Sequence, residues 1–259
     1  MKFDFEKPGA HEKALRNYFS EFDFPNEIEP LNSPICIMVF VNRSGSSLVC
    51  EHMRATGRFT GFGEPLNYEL VIQRCKKLGI ETFAGYLQWL HRNVYKENSM
   101  FGMKASCDQV MMLLRSGAIP RYFNDVRWVF IQRSDIVSQA VSFSIAAQTK
   151  KWTSFQSGNE VEPGYYFKDI KNRISAVSQA YASMYALFAL LDIQPLRITY
   201  EEFVADPELG TKRFADYLGF QGVNVDKSML RMKSQSGQLN SEYREKFVAE
   251  FLASLSLSP

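Results

Sequence analysis

The sequence has no long apolar run, little net charge, few histidines and no closely paired cysteines. No apolar stretch reaches the roughly 18 residues that span a bilayer, so we expect no transmembrane segment. A net charge of +2 argues against a nucleic-acid partner, which would need a strongly basic face. The 4 cysteines form no CxxC pair and the 3 histidines share no motif, so neither a disulfide framework nor a metal site is expected. The N-terminus carries acids among its apolar residues, unlike a secretory signal, and we expect a cytoplasmic protein.

Apolar runs in the sequence predict strands that are buried on both faces. Residues 35–41 are apolar throughout, which is typical of a parallel strand covered by helices. Shorter runs at 128–131 and 196–200 predict further strands, and residues 101–105 predict a weaker one.

Helical periodicity lies between these runs. It is clearest over residues 169–191, where apolar side chains recur every three or four positions. Further helices are predicted over residues 11–19, 109–115, 135–148 and 207–219. Alternating strands and helices predict an α/β protein with a three-layer, P-loop-like fold and a mainly parallel central sheet. We expect residues 1–33 to form an N-terminal extension and residues 34–259 to form a single domain.

A loop of small residues with one cation follows the first predicted strand. It contains Arg43, Ser44, Gly45, Ser46 and Ser47 and precedes a predicted helix. Unpaired N–H groups at a helix start favour an anion, glycine lets the backbone approach it, and serine and arginine add donors. No lysine follows the glycine, so the loop differs from the Walker A motif and fits a phosphate or sulfate better than a triphosphate with magnesium. The alternative is a polar turn capped by serine.

A second cation follows another buried run. Arg133 comes directly after the run at 128–131 and its polar neighbour Gln132, and Ser142 lies nine residues further on in the predicted helix. Because the carboxyl ends of parallel strands meet at one edge, Arg133 and Arg43 should lie on the same edge and hold two anionic groups. The alternative for Arg133 is a surface ion pair with Asp135.

Together with two other stretches, these segments resemble the bacterial carbohydrate sulfotransferases typified by trehalose 2-sulfotransferase. The resemblance lies in the loop at 43–47 and in residues 101–109, 134–152 and 198–220, which read FGMKASCDQ, SDIVSQAVSFSIAAQTKKW and ITYEEFVADPELGTKRFADYLGF. It extends over roughly residues 34–250 and leaves residues 1–33 unexplained.

The resemblance implies transfer of a sulfuryl group from 3′-phosphoadenosine-5′-phosphosulfate (PAPS) to a hydroxyl of a carbohydrate or glycolipid, without a metal. The loop at 43–47 would hold the 5′-phosphosulfate, and Arg133 and Ser142 the 3′-phosphate. Arg231 and Lys233 would close over the 3′-phosphate, unless they belong to a mobile polar loop. Dimers occur in that family, which suggests a homodimer.

That family places its general base, a glutamate, in a Pro-x-Glu-aromatic stretch. The matching stretch GEPLNYE puts Asn67 at the base position, and an amide cannot take a proton at neutral pH. We therefore favour Glu64 as the base, with His52 as a weaker candidate; the alternative for Glu64 is a solvated loop carboxylate. Lys104 would stabilise the leaving phosphate or orient the acceptor, unless it is a lysine snorkelling to solvent at the sheet edge.

Asn67 and Trp152 are the residues predicted to contact the acceptor, although tryptophan is often simply part of the core. Two other functions fit the same sequence. One is a small-molecule kinase that uses ATP and magnesium, against which the missing Walker lysine argues. The other is a binding protein that retains the donor pocket and has lost its base, as Asn67 suggests.

Overall fold

The computed structural model describes residues 5, 7–152, 159, 161–231 and 237–256. The strands are β1 Ile35–Phe40, β2 Phe59–Gly63, β3 Met100–Ala105, β4 Val126–Gln132 and β5 Leu196–Thr199. The helices in the described residues are α1 Ala10–Tyr18, α2 Ser46–Ala55, α3 Tyr68–Leu78, α4 Phe83–Val94, α5 Cys107–Arg115, α6 Ile136–Thr149, α7 Phe167–Leu190, α8 Tyr200–Ala205, α9 Pro207–Tyr217 and α10 Gln238–Ser256. Short helical turns cover Ala118–Tyr122 and Lys227–Met229.

The strands form one five-stranded sheet in the order β2-β3-β1-β4-β5, and every neighbouring pair is parallel. Side chains of β1 alternate between two cores: Ile35, Ile37 and Val39 pack with α4, α5 and α7, whereas Cys36 and Met38 pack with α2 and α9. Helices thus cover both faces, and the predicted three-layer α/β fold is confirmed. Within the described ranges, none of the helices combines the length and apolar character that a membrane crossing needs.

One predicted element ends earlier than the apolar pattern indicates. The sequence predicts a strand through Tyr200, but β5 stops at Thr199 and Tyr200 begins α8. Thr199 and Glu202 form a capping box, in which each side chain accepts a hydrogen bond from the other residue's backbone N–H. Such a box favours helix initiation at this point. Tyr200 is therefore placed at the strand-end edge of the sheet.

The N-terminal segment contributes to the main core. Leu15 is fully buried there, and the ring of Phe22 stacks on that of Phe83 with 4.8 Å between centroids. The Glu12 carboxylate is also fully buried and accepts hydrogen bonds from Arg115 on α5, including one of 2.8 Å from Nε. A buried carboxylate needs such a partner, because its desolvation is otherwise uncompensated. This ion pair and the apolar contacts fix α1 against the domain.

We expect Leu15→Ala to lower the free energy of unfolding by about 2–5 kcal/mol, the usual cost of truncating a buried leucine. Leu78→Ala is the matched control, because Leu78 is 43% exposed at the end of α3. Urea unfolding of both variants measures the difference. Equal losses would show that α1 is not part of the cooperative domain.

Candidate active site

A cleft of about 970 Å³ opens where the parallel strands end. The residues that line it include one from each strand end: Tyr200 after β5, Arg133 after β4, Arg43 after β1, Lys104 on β3 and Glu64 after β2. Neighbouring strands are about 4.8 Å apart. The strand order therefore spreads these side chains along the cleft in that sequence, with Arg133 and Glu64 toward opposite ends.

The loop between β1 and α2 has a tightly constrained backbone. Arg43 and Gly45 both have positive φ, of 67° and 85°. A Cβ atom on Gly45 would lie 2.3 Å from Cδ2 of Tyr200, so both the backbone and the contact require glycine. Ser46 and Ser47 line the cleft at the start of α2, where backbone N–H groups have no partner inside the helix. Ser44 is fully buried and does not line the cleft.

Gly45→Ala should be more destabilising than the same change at Gly57. Gly57 also has a positive φ, of 70°, but an added Cβ would meet nothing within 4 Å. Alanine in this conformation costs about 1–2 kcal/mol at either site. The clash with Tyr200 should add about 1–3 kcal/mol at Gly45 alone. Denaturant unfolding of the two variants provides the comparison, and equal losses would contradict the contact.

Lys104 is directed into the cleft. Its side chain is 5% exposed, and Nζ lies 3.0 Å from Ser47 Oγ, 3.4 Å from Ser46 Oγ and 2.8 Å from Glu64 Oε1. Nζ also lies 4.8 Å from the centroid of the Phe40 ring. Lys104 thus connects the start of α2 to the carboxylate that follows β2, and it does not reach out to solvent.

The three residues considered for the general base, Glu64, Asn67 and His52, have different surroundings in the structure. Glu64 keeps 42% of its side chain exposed while it pairs with Lys104. Asn67 also lines the cleft, but its Oδ1 accepts the backbone N–H of Glu69 at 3.0 Å and caps α3. His52 is buried and packs edge-on against Phe203, away from the cleft lining. Burial lowers the pKa of His52. The geometry favours Glu64 over His52 as the proton acceptor.

Two guanidinium groups lie near each other at the other end of the cleft. Arg43 Nε donates to Ser142 Oγ at 3.0 Å, and another of its N–H groups donates to the Trp152 carbonyl. Burial, together with the charge of Arg133, lowers the pKa of Arg43. Arg133 also packs over the Tyr200 ring, with 4.9 Å from Cζ to the centroid. An anion at this end would relieve the repulsion between the two cations.

Arg133 lacks the ion pair with Asp135 that the sequence suggests as an alternative. Asp135 caps α6 and pairs with Arg244 at 2.8 Å, so that alternative is wrong. Arg133 is 12% exposed, and its Nε lies 3.9 Å from Glu201 Oε1. Among the described residues, this buried Nε has no hydrogen-bond partner. A buried donor without an acceptor is costly, which points to a ligand that supplies one.

A buried hydrogen-bond network holds the Arg133 loop beside the Arg43 loop. The backbone N–H of Arg133 donates to Tyr181 Oη at 2.9 Å, and Tyr181 donates to Gln139 Oε1 at 2.9 Å. Gln139 Nε2 in turn donates to the carbonyl of Asn42 at 2.8 Å. Burial raises the pKa of Tyr181, which keeps the phenol protonated and able to donate. The periodic apolar pattern places Tyr181 in a core stripe and gives no sign of this role.

Two cysteines line the cleft without offering a nucleophile. Burial raises the pKa of Cys50 to about 11 and that of Cys107 to about 12. The thiolate is the reactive form of cysteine, and neither group forms it near neutral pH. All four cysteines are free and buried.

Of the two cations predicted to close over the donor, Arg231 does not line the main cleft. Arg231 lines a separate cavity of about 260 Å³ with Glu51, Arg54 and Met229. Its backbone N–H donates to Glu51 Oε1 at 2.9 Å. Lys233 lies outside the described residues.

The fold and the cleft define an α/β protein that can hold a ligand with two anionic groups at the edge of its sheet. The family model of the Stf0 sulphotransferases matches residues 67–250, and the chain belongs to this family. The chain is therefore a sulfotransferase, as the sequence predicts. The residues matched by the family model therefore begin after α1 and after the loop that contains Arg43.

A solved structure supports the same fold. The chain is similar to a sulfotransferase from Alicyclobacillus acidocaldarius, with 12% identity over 87% of this chain and 94% of that one, and a TM-score of 0.50. It also resembles the sulfotransferase domain of the Synechococcus PCC 7002 olefin synthase, with 13% identity, coverage of 87% and 98%, and a TM-score of 0.46. No curated protein matches the chain in sequence.

Proposed function

We propose that this sulfotransferase moves a sulfuryl group from PAPS to a hydroxyl of a carbohydrate or glycolipid. The observation that carries the proposal is the order of side chains along the cleft. Two partly buried guanidinium groups, those of Arg43 and Arg133, occupy one end, and a lysine paired with a carboxylate occupies the other. This arrangement separates a donor side with excess positive charge from an acceptor side with a proton acceptor.

The donor side fits the two anionic groups of PAPS. The loop at 43–47 and the start of α2 supply backbone and hydroxyl donors for the 5′-phosphosulfate. Arg133, whose Nε has no hydrogen-bond partner among the described residues, supplies a planar cation for the 3′-phosphate. Ser142 reaches this side through its hydrogen bond to Arg43. Trp152 lies beside Arg43 as well, and this position favours contact with the donor over the acceptor contact predicted from the sequence.

Glu64 and Lys104 are the groups that the chain offers to the reaction. When bound, the donor supplies the sulfuryl group, whose sulfur bonds to the acceptor oxygen as its bond to the phosphate oxygen breaks. Glu64 accepts the proton that the acceptor hydroxyl loses, since its partly exposed carboxylate has lone pairs beyond the one held by Lys104. Lys104 places a buried positive charge beside Ser46 and Ser47, where the leaving phosphate gains negative charge.

Calorimetric titration tests the donor site. The purified protein is titrated with 3′,5′-adenosine bisphosphate (PAP) and with ATP, each with and without magnesium. We expect PAP to bind without metal and more tightly than ATP. Preference for ATP with magnesium would overturn the proposal and favour a kinase.

A transfer assay tests the reaction. The protein is incubated with PAPS and a set of sugars that includes trehalose, and sulfated products are detected by mass spectrometry. Sulfated sugar supports the proposal. PAP binding without any sulfated product would instead indicate a binding protein that has lost its activity.

A further inference from the structure

We propose that α1 completes the acceptor side of the cleft, where His11 donates a hydrogen bond from Nε2 to an uncharged, polyhydroxylated acceptor. This inference rests on the proposed function and specifies the acceptor chemistry of the same site. It gives a binding role to the N-terminal segment, which lies outside the residues matched by the family model.

The packing of α1 brings His11 to the acceptor side. The helix contacts α3 and α5. Glu64 lies between β2 and α3, and Lys104 lies on β3, the strand before α5. His11 lies in the first turn of α1 and lines the cleft. The next residue, Glu12, forms the buried ion pair with Arg115 that anchors the helix. The position of His11 is therefore set by the core and not by a free chain end.

A hydrogen bond to one ring nitrogen of His11 determines which nitrogen can donate to a ligand. The backbone N–H of Tyr68 donates to Nδ1 at 3.2 Å, and the ring packs edge-on against the Tyr68 ring at 5.5 Å. In a neutral ring whose Nδ1 accepts, the proton is on Nε2. Among the described residues, Nε2 has no hydrogen-bond partner. Burial lowers the pKa of His11 below 6.5, against the raising effect of Asp108, Glu64 and Glu69. At neutral pH His11 is thus a donor at Nε2 and cannot act there as a base.

Two carboxylates, of Asp108 and Glu64, also line this wall, beside neutral residues such as Asn67 and Ser106. Asp108, in the first turn of α5, lines the cleft close to the start of α1, since a Cβ on Gly9 would lie 2.9 Å from its carboxyl carbon. Asp108 and Glu64 accept hydrogen bonds from hydroxyl groups but repel anions. Two described cations line this end: Lys104 is paired with Glu64, and Arg54 donates to the Phe62 carbonyl at 2.9 Å. A neutral imidazole donor beside two carboxylates, with both cations already engaged, suits a neutral sugar better than a uronic acid or a sulfated sugar.

Two substitutions of His11 separate acceptor binding from a structural role. Asn retains an oxygen near the Nδ1 position, which can keep the hydrogen bond from Tyr68, but it ends before Nε2. Gln places an amide donor near the Nε2 position and loses the Nδ1 acceptor. Steady-state kinetics use PAPS and trehalose, and PAP binding is measured by calorimetry.

We expect His11→Asn to raise the KM for trehalose about tenfold, the loss of one hydrogen bond to a ligand. His11→Gln should retain a KM within about threefold of the wild type, and both variants should bind PAP normally. The reverse order, with Asn normal and Gln impaired, would mean that His11 only positions α3, and would overturn the inference. Equal loss of PAP binding in both variants would overturn it too.

The wild type provides the remaining comparison. It should sulfate methyl glucoside well and methyl glucuronide poorly, and equal rates on the two would contradict a site for uncharged acceptors. Failure of the proposed function would appear in the wild type as absence of PAP binding or of sulfated sugar. Failure of the His11 inference would appear as normal wild-type activity with the wrong order of the two variants.

Discussion

Replacing Arg133 with alanine is expected to weaken PAP binding by at least about 100-fold. The guanidinium is largely buried, and its Nε has no hydrogen-bond partner among the described residues. Hydrogen bonds to charged groups contribute about 1.5–3 kcal/mol each, and arginine typically gives a phosphate two of them. Since about 1.4 kcal/mol corresponds to a tenfold change, losing both accounts for the expected effect. Calorimetric titration with PAP measures it.

Arg127→Ala is the matched control for this effect. Arg127 lies on β4, the strand that ends just before Arg133. Its side chain is 51% exposed and pairs with Asp125. It does not line the cleft. PAP binding should therefore be unchanged in Arg127→Ala. Equal weakening in both variants would show that the Arg133 effect comes only from a general loss of positive charge.

Glu64→Gln is expected to lower kcat by about 10²–10⁴-fold, the usual contribution of a general base. Glutamine can still accept a hydrogen bond from Lys104 through its amide oxygen, so the pair at 2.8 Å has a neutral equivalent. The loss should therefore appear in the transfer rate, with PAP binding within about threefold of the wild type. Single-turnover transfer from PAPS to trehalose gives the rate, and calorimetry gives the affinity.

Glu69→Gln controls for charge on the same segment. Glu69 is exposed in the first turn of α3, contacts the Tyr68 hydroxyl at 3.1 Å and does not line the cleft. Its substitution should leave kcat unchanged. A normal rate in Glu64→Gln would exclude Glu64 as the base and turn attention to Asp108, the other carboxylate described on the acceptor side. A gain of activity in Asn67→Glu would show that the base position itself had been lost.

Much of the fold follows from patterns that are local in the sequence. The apolar run of β1 predicts a strand because that strand is buried on both faces, and the long stripe of α7 predicts a helix because that helix is buried along one face. β2, with the sequence FTGFG, is short and holds two glycines, so it gives no comparable signal. Arg43 and Arg133 could be found because both follow buried strands, and the rule that parallel strands end at one edge brings them together.

Other site residues depend on packing that no local pattern reports. Tyr200 follows a strand, so the same rule could have identified it, but its β-favouring side chain extends the predicted strand by one residue past the capping box at Thr199. Trp152 lies beyond the end of α6, and its position beside Arg43 depends on where that helix ends. His11 reaches the cleft only because α1 packs against α3 and α5, which lie far along the chain. Nothing in the sequence indicates that Glu12 is buried.

The buried pair between Glu12 and Arg115 has a consequence for engineering this enzyme. A designer who exchanges the N-terminal segment for that of a relative, in order to change the acceptor, also exchanges one half of this pair. An incoming segment without an acid at position 12 would leave Arg115, which is 20% exposed, without its partner beside the core. Chimaeras should therefore be chosen as matched sets of positions 11, 12 and 115, so that selectivity is altered without loss of folding.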